Sequence, residues 1–154
     1  MSQPNELHPR KVKDPCGSEN IELNRSPAIL VVDDEFDISN SIKRGLEKKG
    51  FKVDAYTDPR EALAHYEKGR YDMLLVDIRM PNMSGFEFVR ALRVMDPHVQ
   101  FCFLTAFDVQ RSEFNKLFPD VDVSHLLRKP ITLSDLANIL NQLITEAKNP
   151  AVQK

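Results

Sequence analysis

The chain has 154 residues, of which 42% are hydrophobic and 29% are charged, a size that fits one globular domain rather than two large ones. Its 21 Lys and Arg residues nearly balance 23 Asp and Glu residues, for a net charge of −2, so no overall basic field favours binding to DNA or to an anionic membrane. No apolar run approaches the roughly 20 residues of a membrane span, and the N-terminus lacks the apolar core of a signal peptide, so we expect a cytoplasmic protein.

The two ends of the chain differ from its middle. Residues 1–26 are polar, without sustained apolar periodicity, and such a segment buries too little surface to offset the entropy of ordering. We predict a disordered N-terminal tail at 1–26, a folded domain at 27–147 and a C-terminal tail at 148–154. Because so few residues follow the last predicted helix, no C-terminal effector domain is expected.

From Pro27 onward, short apolar runs alternate with segments of helical period. Runs rich in Val, Ile, Leu and Phe predict five strands, at Ala28–Val32, Lys52–Tyr56, Asp72–Val76, Val99–Leu104 and Val123–Leu127. Apolar residues at helical spacing predict five helices, with apolar faces at Phe36–Leu46, Ala62–Tyr66, Phe86–Met95, Val109–Phe118 and Leu136–Ile144. Asp58 is a predicted N-cap followed by Pro59, and Thr132 with Asp135 has the spacing of a capping box.

This alternation is typical of repeated βα units. The first, third and fourth strands are almost continuously hydrophobic, as expected for strands covered by helices on both faces. Five such units with right-handed crossovers give an α/β fold, a (βα)5 doubly wound sheet of five parallel strands. Ligands bind at the carboxyl ends of the strands in such sheets, so the residues directly after each strand are the candidates for function.

Acidic side chains follow the first and third predicted strands. Asp33, Asp34 and Glu35 come directly after the first strand, and Asp77 directly follows the third. Because parallel strands end at one edge of the sheet, these carboxylates are expected to converge and repel one another. A hard divalent cation relieves that repulsion best, and the ion predicted here is Mg²⁺.

The fourth and fifth predicted strands are followed by a hydroxyl and a cation. Thr105 precedes the small Ala106, and Lys129 precedes Pro130. A carboxylate beside a metal ion, an ammonium group and a hydroxyl suits phosphoryl transfer, with Asp77 attacking in line while the cations neutralise the equatorial oxygens. Each residue alone is more commonly a helix cap, a turn residue or a solvated side chain, so the prediction depends on all of them reaching one edge.

At these residues the sequence closely resembles the receiver domain of two-component response regulators, including stand-alone receivers of the chemotaxis-regulator type. The resemblance spans roughly residues 27–147 and implies a flavodoxin-like fold. Four motifs carry it: Ile29-Leu30-Val31-Val32-Asp33-Asp34-Glu35, Leu75-Val76-Asp77-Ile78-Arg79-Met80-Pro81-Asn82-Met83-Ser84-Gly85, Leu104-Thr105-Ala106 and Arg128-Lys129-Pro130.

The resemblance implies a role for each acidic residue at the strand ends. Asp77 corresponds to the phosphoacceptor, which takes a phosphoryl group from a phosphohistidine donor. Asp33 and Asp34 are expected to hold Mg²⁺ together with Asp77 and the backbone carbonyl of Arg79, with Asp34 as the more direct ligand of the first pair.

The resemblance also assigns the remaining strand-end residues. Lys129 is expected to contact the phosphoryl group, and Thr105, followed by the small Ala106, to swing toward it and donate a hydrogen bond. The bond between Lys129 and Pro130 is expected to be cis, as it generally is in receivers. The chain is then not an enzyme with a separate substrate but a phosphoacceptor that catalyses its own phosphorylation and dephosphorylation.

The sequence departs from the family pattern at one position and carries bulky residues at two others. Receivers usually have Tyr or Phe three residues before the lysine, as an aromatic switch, whereas this chain has Leu126. Arg79 and Phe107 overhang the site in this family. Arg79 is expected to pair with a phosphoryl oxygen, and Phe107 either shields the acyl phosphate from water, giving a lifetime of minutes or more, or merely packs against the fourth helix.

The resemblance implies a single-domain response regulator in phosphorelay signalling. Its partners would be a sensor histidine kinase or phosphotransfer protein and a downstream target bound through the fourth helix, fifth strand and fifth helix. Dimerisation on phosphorylation stays open, because such a contact leaves no unique sequence signature.

Three other functions stay open at this stage. The first is a small phosphatase or phosphotransferase with Asp33 as nucleophile, although the sequence lacks the Asp-x-Asp spacing such an enzyme would need. The second is a constitutive interaction module with a receiver-like fold, which Leu126 keeps open. The third is a phosphate shuttle or sink, which uses the same chemistry and differs only in its partners.

Overall fold

The structure, a computed structural model, describes residues 25–106, 111–121 and 125–148. Within these residues five strands alternate with five helices, and none of the helices is long and apolar enough to cross a bilayer. In chain order they are β1 Ala28–Val32, α1 Phe36–Lys48, β2 Lys52–Tyr56, α2 Pro59–His65, β3 Met73–Val76, α3 Gly85–Met95, β4 Phe101–Thr105, α4 Arg111–Leu117, β5 Leu126–Arg128 and α5 Leu133–Lys148.

The strands form one parallel sheet in the order β2-β1-β3-β4-β5. This arrangement confirms the predicted α/β class and the doubly wound, flavodoxin-like sheet. The strand order reverses between β1 and β3, and a crevice forms outside the carboxyl ends of the strands at such a point. The fold therefore places the residues after β1 and β3 side by side.

Each central strand sends alternate residues into two separate cores, because successive side chains of a strand point to opposite faces of the sheet. In β1, Ile29 and Val31 pack with α1 and α5, whereas Leu30 and Val32 pack with α2, α3 and α4. All four side chains are at most 1% exposed. This burial on both faces explains the continuous hydrophobic runs in the sequence.

The helix starts follow the predicted capping chemistry. The Asp58 side chain accepts a hydrogen bond from the Arg60 amide at 2.9 Å, with Pro59 as the first residue of α2. The Asp135 amide donates to the Thr132 hydroxyl oxygen at 3.0 Å at the start of α5. Both N-caps were predicted from sequence and are confirmed.

Several element boundaries differ from the prediction. Strand β3 begins at Met73 rather than Asp72: the Asp72 amide donates to the Ala28 carbonyl oxygen, but the Ala28 amide donates to the Asp72 side chain and not to a backbone carbonyl of β3. Strand β4 begins at Phe101 and includes Thr105. Tyr66 ends α2 as its C-cap, and its hydroxyl donates to the buried carboxylate of Asp96 at 2.8 Å.

Parts of the predicted tails and of the predicted fourth helix and fifth strand lie outside the described residues: 1–24, 107–110, 122–124 and 149–154. The described contacts of the fold begin at Arg25, two residues before the predicted domain boundary. Its guanidinium forms an ion pair with Asp72 at 3.0 Å. The boundary at 27 itself stays a prediction.

Candidate functional site

Three carboxylates meet at the carboxyl edge of the sheet. Asp33 and Asp34 follow β1, Asp77 follows β3, and one oxygen of each lies within 4.8 Å of the others. Asp33 is 3% exposed and Asp77 is 8% exposed, whereas Asp34 is only half-buried. The structure thus brings together the three acidic residues that the sequence singled out, with Asp34 as the member nearest to solvent.

Backbone hydrogen bonds between neighbouring strands fix the positions of these residues. The Asp33 amide donates to the carbonyl oxygen of Tyr56 at the end of β2, at 3.1 Å, and the Asp77 amide donates to that of Val32 at 2.9 Å. One carboxylate oxygen of Asp33 accepts the Glu35 amide at 3.0 Å. These bonds extend the sheet pairing by one residue, so the carboxylates are held by the sheet rather than by a loose loop.

The lysine directly after β5 lies in contact with this acidic cluster. The Lys129 ammonium lies 3.0 Å from the second carboxylate oxygen of Asp33 and 3.8 Å from an oxygen of Asp77. Its amide donates to the carbonyl oxygen of Thr105 at 2.8 Å, which ties the lysine and the buried threonine together. The bond between Lys129 and Pro130 is cis, as predicted.

The electrostatics of the cluster disfavour a charged Asp77. Burial raises the pKa of its carboxyl to about 6, with a further rise from the nearby charge of Asp33 and a smaller one from Asp34. Lys129 and a hydrogen bond with the Ile78 backbone act in the opposite direction, but they do not cancel the rise. The fold therefore leaves the charge of Asp77 only partly compensated.

This cluster fits a divalent cation. Three carboxylates face one ammonium group, and Asp33 already uses both of its oxygens for the Lys129 ammonium and the Glu35 amide. Asp34 and Asp77 add carboxylate oxygens, the hard ligands that Mg²⁺ prefers. A bound dication would also lower the cost of ionising Asp77, because opposite charge favours the carboxylate form.

A close backbone contact that the sequence analysis missed supports the loop after Asp77. The Gly85 amide donates to the carbonyl oxygen of Ile78 at 2.7 Å, and a Cβ atom on Gly85 would lie 2.3 Å from the carbonyl oxygen of Asp77. Ser84 and Glu87 form a reciprocal capping box at this end of α3. The Ser-x-x-Glu spacing was a readable signal for the cap, but nothing in the sequence showed that Gly85 packs on Asp77.

The predicted tuning residues occupy different surroundings. The side chain of Arg79 is exposed on the loop after Asp77, and Ala106 is exposed directly after β4. Phe107 lies outside the described residues. Leu126 is half-buried and pairs in register with Phe103, so its side chain belongs to the core beneath Thr105.

Comparison with known proteins gives consistent results. The chain is 37% identical over 119 residues to the transcriptional regulatory protein PrrA of Mycobacterium tuberculosis. The matched region covers 77% of this chain and 50% of PrrA. It is 30% identical over 122 residues to the response regulator receiver protein CpdR of Brucella abortus, covering 77% of this chain and 98% of CpdR. The chain therefore spans about half the length of PrrA but nearly all of CpdR.

The fold comparison agrees with the sequence comparison. A crystal structure of a CheY-like response regulator receiver domain protein from Methanospirillum hungatei superimposes with a TM-score of 0.71 at 26% identity, covering 81% of this chain and 98% of that one. The profile of the family described as "Response regulator receiver domain" matches residues 29–141. This chain belongs to the response regulator receiver domain family.

Proposed function

We propose that this chain works as a single-domain response regulator, with a receiver domain at 27–147 between tails at 1–26 and 148–154. Asp77 accepts a phosphoryl group in a Mg²⁺-dependent reaction, and the phosphorylated form binds its partner differently from the resting form. The observation that carries the proposal is the position of Asp77, buried within 4.8 Å of Asp33 and Asp34 and 3.8 Å from the Lys129 ammonium. The match to CpdR over nearly its whole length supports the single-domain assignment.

The proposed reaction is in-line displacement at phosphorus. A carboxylate oxygen of Asp77 forms a bond to phosphorus while the bond between phosphorus and the donor histidine nitrogen breaks. The nitrogen that carried phosphorus keeps that electron pair, and the donor leaves as neutral imidazole with the proton on its other ring nitrogen. Asp33, Asp34, Asp77 and the Arg79 backbone carbonyl would hold Mg²⁺, which would supply positive charge to the phosphoryl oxygens.

Lys129 provides the second positive charge. In the resting structure its ammonium is closer to Asp33 than to Asp77, at 3.0 Å against 3.8 Å. A phosphoryl group on Asp77 adds negative oxygens on that side, which strengthens the attraction of Lys129 toward Asp77. Thr105, the last residue of β4, is linked to Lys129 by a backbone hydrogen bond. Its hydroxyl donates a hydrogen bond to the phosphoryl group, so phosphorylation changes the position of the end of β4.

The donor is a sensor histidine kinase or a phosphotransfer protein, and the output surface comprises α4, β5 and α5. Leu126 lies on this surface's inner side, packed against the aromatic residues of β4 and α4. Because Leu126 has no aromatic ring, the signal passes through repacking of an aliphatic side chain. The alternative, a constitutive interaction module, keeps the same surface but leaves it unchanged after phosphorylation.

The test is the intact mass of the full chain after incubation with acetyl phosphate and Mg²⁺. We expect one phosphate-sized gain that disappears in Asp77→Asn and in EDTA, because the nucleophile or the metal ion is then absent. Asp72→Asn is the matched control, since Asp72 is a buried aspartate at the other end of the same strand. Equal phosphorylation of wild type and Asp77→Asn, or no gain together with no beryllofluoride binding by the folded protein, would contradict the proposal.

A further inference from the structure

Positive charge is concentrated at the amino end of the sheet, the opposite end from Asp77. Residues 43–52 comprise the end of α1 and the start of β2, and they carry five cations and one carboxylate, although the whole chain has a net charge of −2. The cations are Lys43, Arg44, Lys48, Lys49 and Lys52. We call these five residues the basic patch.

Most of the basic patch lacks compensating negative charge. Lys43 forms an ion pair with Glu47, one turn further along α1. The other four residues of the patch are exposed and make no ion pair or side-chain hydrogen bond within the part of the chain that the structure describes. The carboxyl end of α1 carries about half a negative elementary charge, which offsets only part of this positive charge. The surface therefore keeps an excess of positive charge that an acidic partner can neutralise.

A cleft of about 600 Å³ adjoins the basic patch. Lys43 and Lys52 line it together with Arg70, which comes from the segment before β3. Glu47 and Asp54 also line it, and they pair with Lys43 and Arg70 respectively. These four paired side chains are between 35% and 49% exposed, so water reaches both ion pairs and the cations can exchange partners. A carboxylate that enters the cleft can therefore contact Lys52 and compete for the two paired cations.

We propose that the basic patch and this cleft bind an acidic segment of a partner protein. Carboxylates of the segment neutralise the four unpaired cations, and one of them enters the cleft beside Lys52. Glu47 and Asp54 favour a protein segment over a nucleic acid, because a protein can place amide or hydroxyl donors opposite them, whereas a nucleic acid is negative at every phosphate. A second copy of this chain fits less well, because a symmetric contact would bring two basic patches together.

Helix α1 separates this surface from the acidic cluster. The helix begins at Phe36, two residues after Asp34, and ends at Lys48 in the basic patch. Its 13 residues rise about 1.5 Å each, or about 20 Å in all. The surface also shares no residue with α4, β5 and α5, which the proposed function assigns to output. A partner bound here therefore leaves Asp77 accessible and can stay attached before and after phosphorylation.

The experiment measures binding of a fluorescently labelled oligoglutamate peptide to the full chain by fluorescence anisotropy. The variant Lys48→Glu with Lys52→Glu should weaken binding at least about tenfold, because two attractive charges become repulsive. The control, Arg90→Glu with Lys116→Glu, makes the same change in net charge at exposed positions of α3 and α4, and like the test pair it includes one residue in the last turn of a helix. It should weaken binding less than about threefold, because only the overall field changes.

A milder variant, Lys48→Gln with Lys52→Gln, should give an intermediate loss, and circular dichroism checks that every variant is folded. No binding by the wild type, or equal losses in the test and control variants, overturns the proposal, because this surface then has no special affinity for carboxylates. Tighter binding of an oligothymidylate than of the peptide overturns it in favour of a nucleic acid.

Self-association of the wild type that disappears in Lys48→Glu with Lys52→Glu overturns the proposal in favour of a second copy. The phosphate mass gain of this variant should equal that of wild type, because both substitutions lie at the end of the sheet remote from Asp77. Failure of this proposal is therefore distinguishable from failure of the proposed function.

Discussion

Strand β3 has an aspartate at each end, and the two are held in opposite ways. Asp72, directly before the strand, accepts two hydrogen bonds from the Arg25 guanidinium, one from the Ala28 amide, and an ion pair from Lys148 at 3.3 Å. Asp77, directly after it, faces two other carboxylates and a single lysine that lies closer to Asp33. Their side chains are 6% and 10% exposed, so burial alone does not distinguish them.

Under the proposed function, this difference separates a structural aspartate from the phosphoacceptor, and we call the Asp72 side of the sheet the structural end and the Asp77 side the reactive end. At the Asp72 end, cations from the segment before β1 and from the end of α5 surround the carboxylate and stabilise its charge. At the Asp77 end, neighbouring negative charge and burial raise the pKa to about 6. A carboxylate that the fold leaves uncompensated is suited to bind a cation and to accept an electrophile, and raised pKa values of this kind cluster at functional sites.

The most destabilising single change predicted for the Asp77 end is Gly85→Ala. Its Cβ atom would lie 2.3 Å from the Asp77 carbonyl oxygen, and the contact is with backbone that cannot rotate away. We expect the Asp77 loop to shift, the free energy of unfolding to fall by about 3 kcal/mol, and phosphorylation to slow by about 100-fold. Chemical denaturation and the acetyl phosphate reaction measure the two effects.

Gly50→Ala is the control for this prediction. Gly50 has a positive φ of 99° and open space around its Cα, so alanine there adds backbone strain without touching the site. We expect a loss of about 1 kcal/mol in unfolding free energy and an unchanged phosphorylation rate. A Gly85→Ala protein that phosphorylates as fast as Gly50→Ala would show that the contact does not position Asp77.

At the structural end, Asp72→Ala should lower the unfolding free energy by about 2 kcal/mol. The change leaves the Ala28 amide without its acceptor and removes the common partner of Arg25 and Lys148. The loss is moderate because both cations are partly exposed and can be solvated. Phosphorylation of the folded protein should stay at the wild-type level, and a strong loss of phosphorylation would contradict the division between the two ends.

Asp77→Asn, unlike Asp72→Ala, is expected to raise the unfolding free energy. Without Mg²⁺ at pH 7.5, the amide removes a charge that the fold disfavours, and the unfolding free energy should rise by about 1–2 kcal/mol. The folded pKa is about 6 and the ordinary value is 3.8, so the folded protein binds more protons than the unfolded chain between these pH values. The advantage of the variant is therefore complete above pH 6, falls as the pH drops, and is lost below about 3.8.

Urea denaturation of both proteins at pH 7.5, 6 and 4.5 checks this dependence. Added Mg²⁺ should reverse the order at pH 7.5, because the ion stabilises only the protein that retains the carboxylate. A variant that is less stable than wild type without Mg²⁺ at pH 7.5 would mean that Lys129 compensates the Asp77 charge fully.

The acidic cluster at the Asp77 end was predicted from the sequence, whereas the ion pairs at the Asp72 end were not. Asp33 and Asp77 follow strands of almost continuous Val, Ile and Leu, so the parallel fold alone brings them to one edge. Asp72 carries no such signal, because an acidic residue before a strand is usually part of a turn. Its cation partners, Arg25 and Lys148, come from chain ends whose position depends on the whole packed sheet.

Local chemistry and packing also differ in how far they can be predicted. The Asp58 and Thr132 caps depend on residues within three positions, and both were predicted correctly. The start of β3 was placed one residue too early, at Asp72, where the Ala28 amide, 44 positions away in sequence, bonds to the side chain in place of the backbone. The contact of Gly85 with Asp77 could not be predicted either, because it forms only when α3 packs against the end of β3.

The smallest predicted effect concerns Leu126, which lies beneath the reactive end. Leu126 pairs with Phe103, whose ring packs edge-on against Phe86 at 5.0 Å and lies near the fully buried rings of Phe114 in α4 and Phe118 directly after it. Leu126→Phe adds a ring at a half-buried position with room toward solvent. The unfolding free energy should therefore change by less than about 1 kcal/mol.

The informative readout is the response to beryllofluoride, an acyl phosphate mimic, followed by amide chemical shifts. Under the proposed function Thr105 moves toward the mimic and leaves space beneath it, which a leucine at position 126 would fill by a small repacking, whereas a phenylalanine would need a larger movement of β5 and α4. We expect shift changes in α4 and β5 to be about twofold larger in Leu126→Phe than in wild type, with Leu127→Phe as the control on the opposite face of β5. Equal changes in both proteins would show that the residue at this position does not set the size of the response. An absence of change in α4 and β5 of the wild type would favour the constitutive module, because phosphorylation would then leave the output surface as it was.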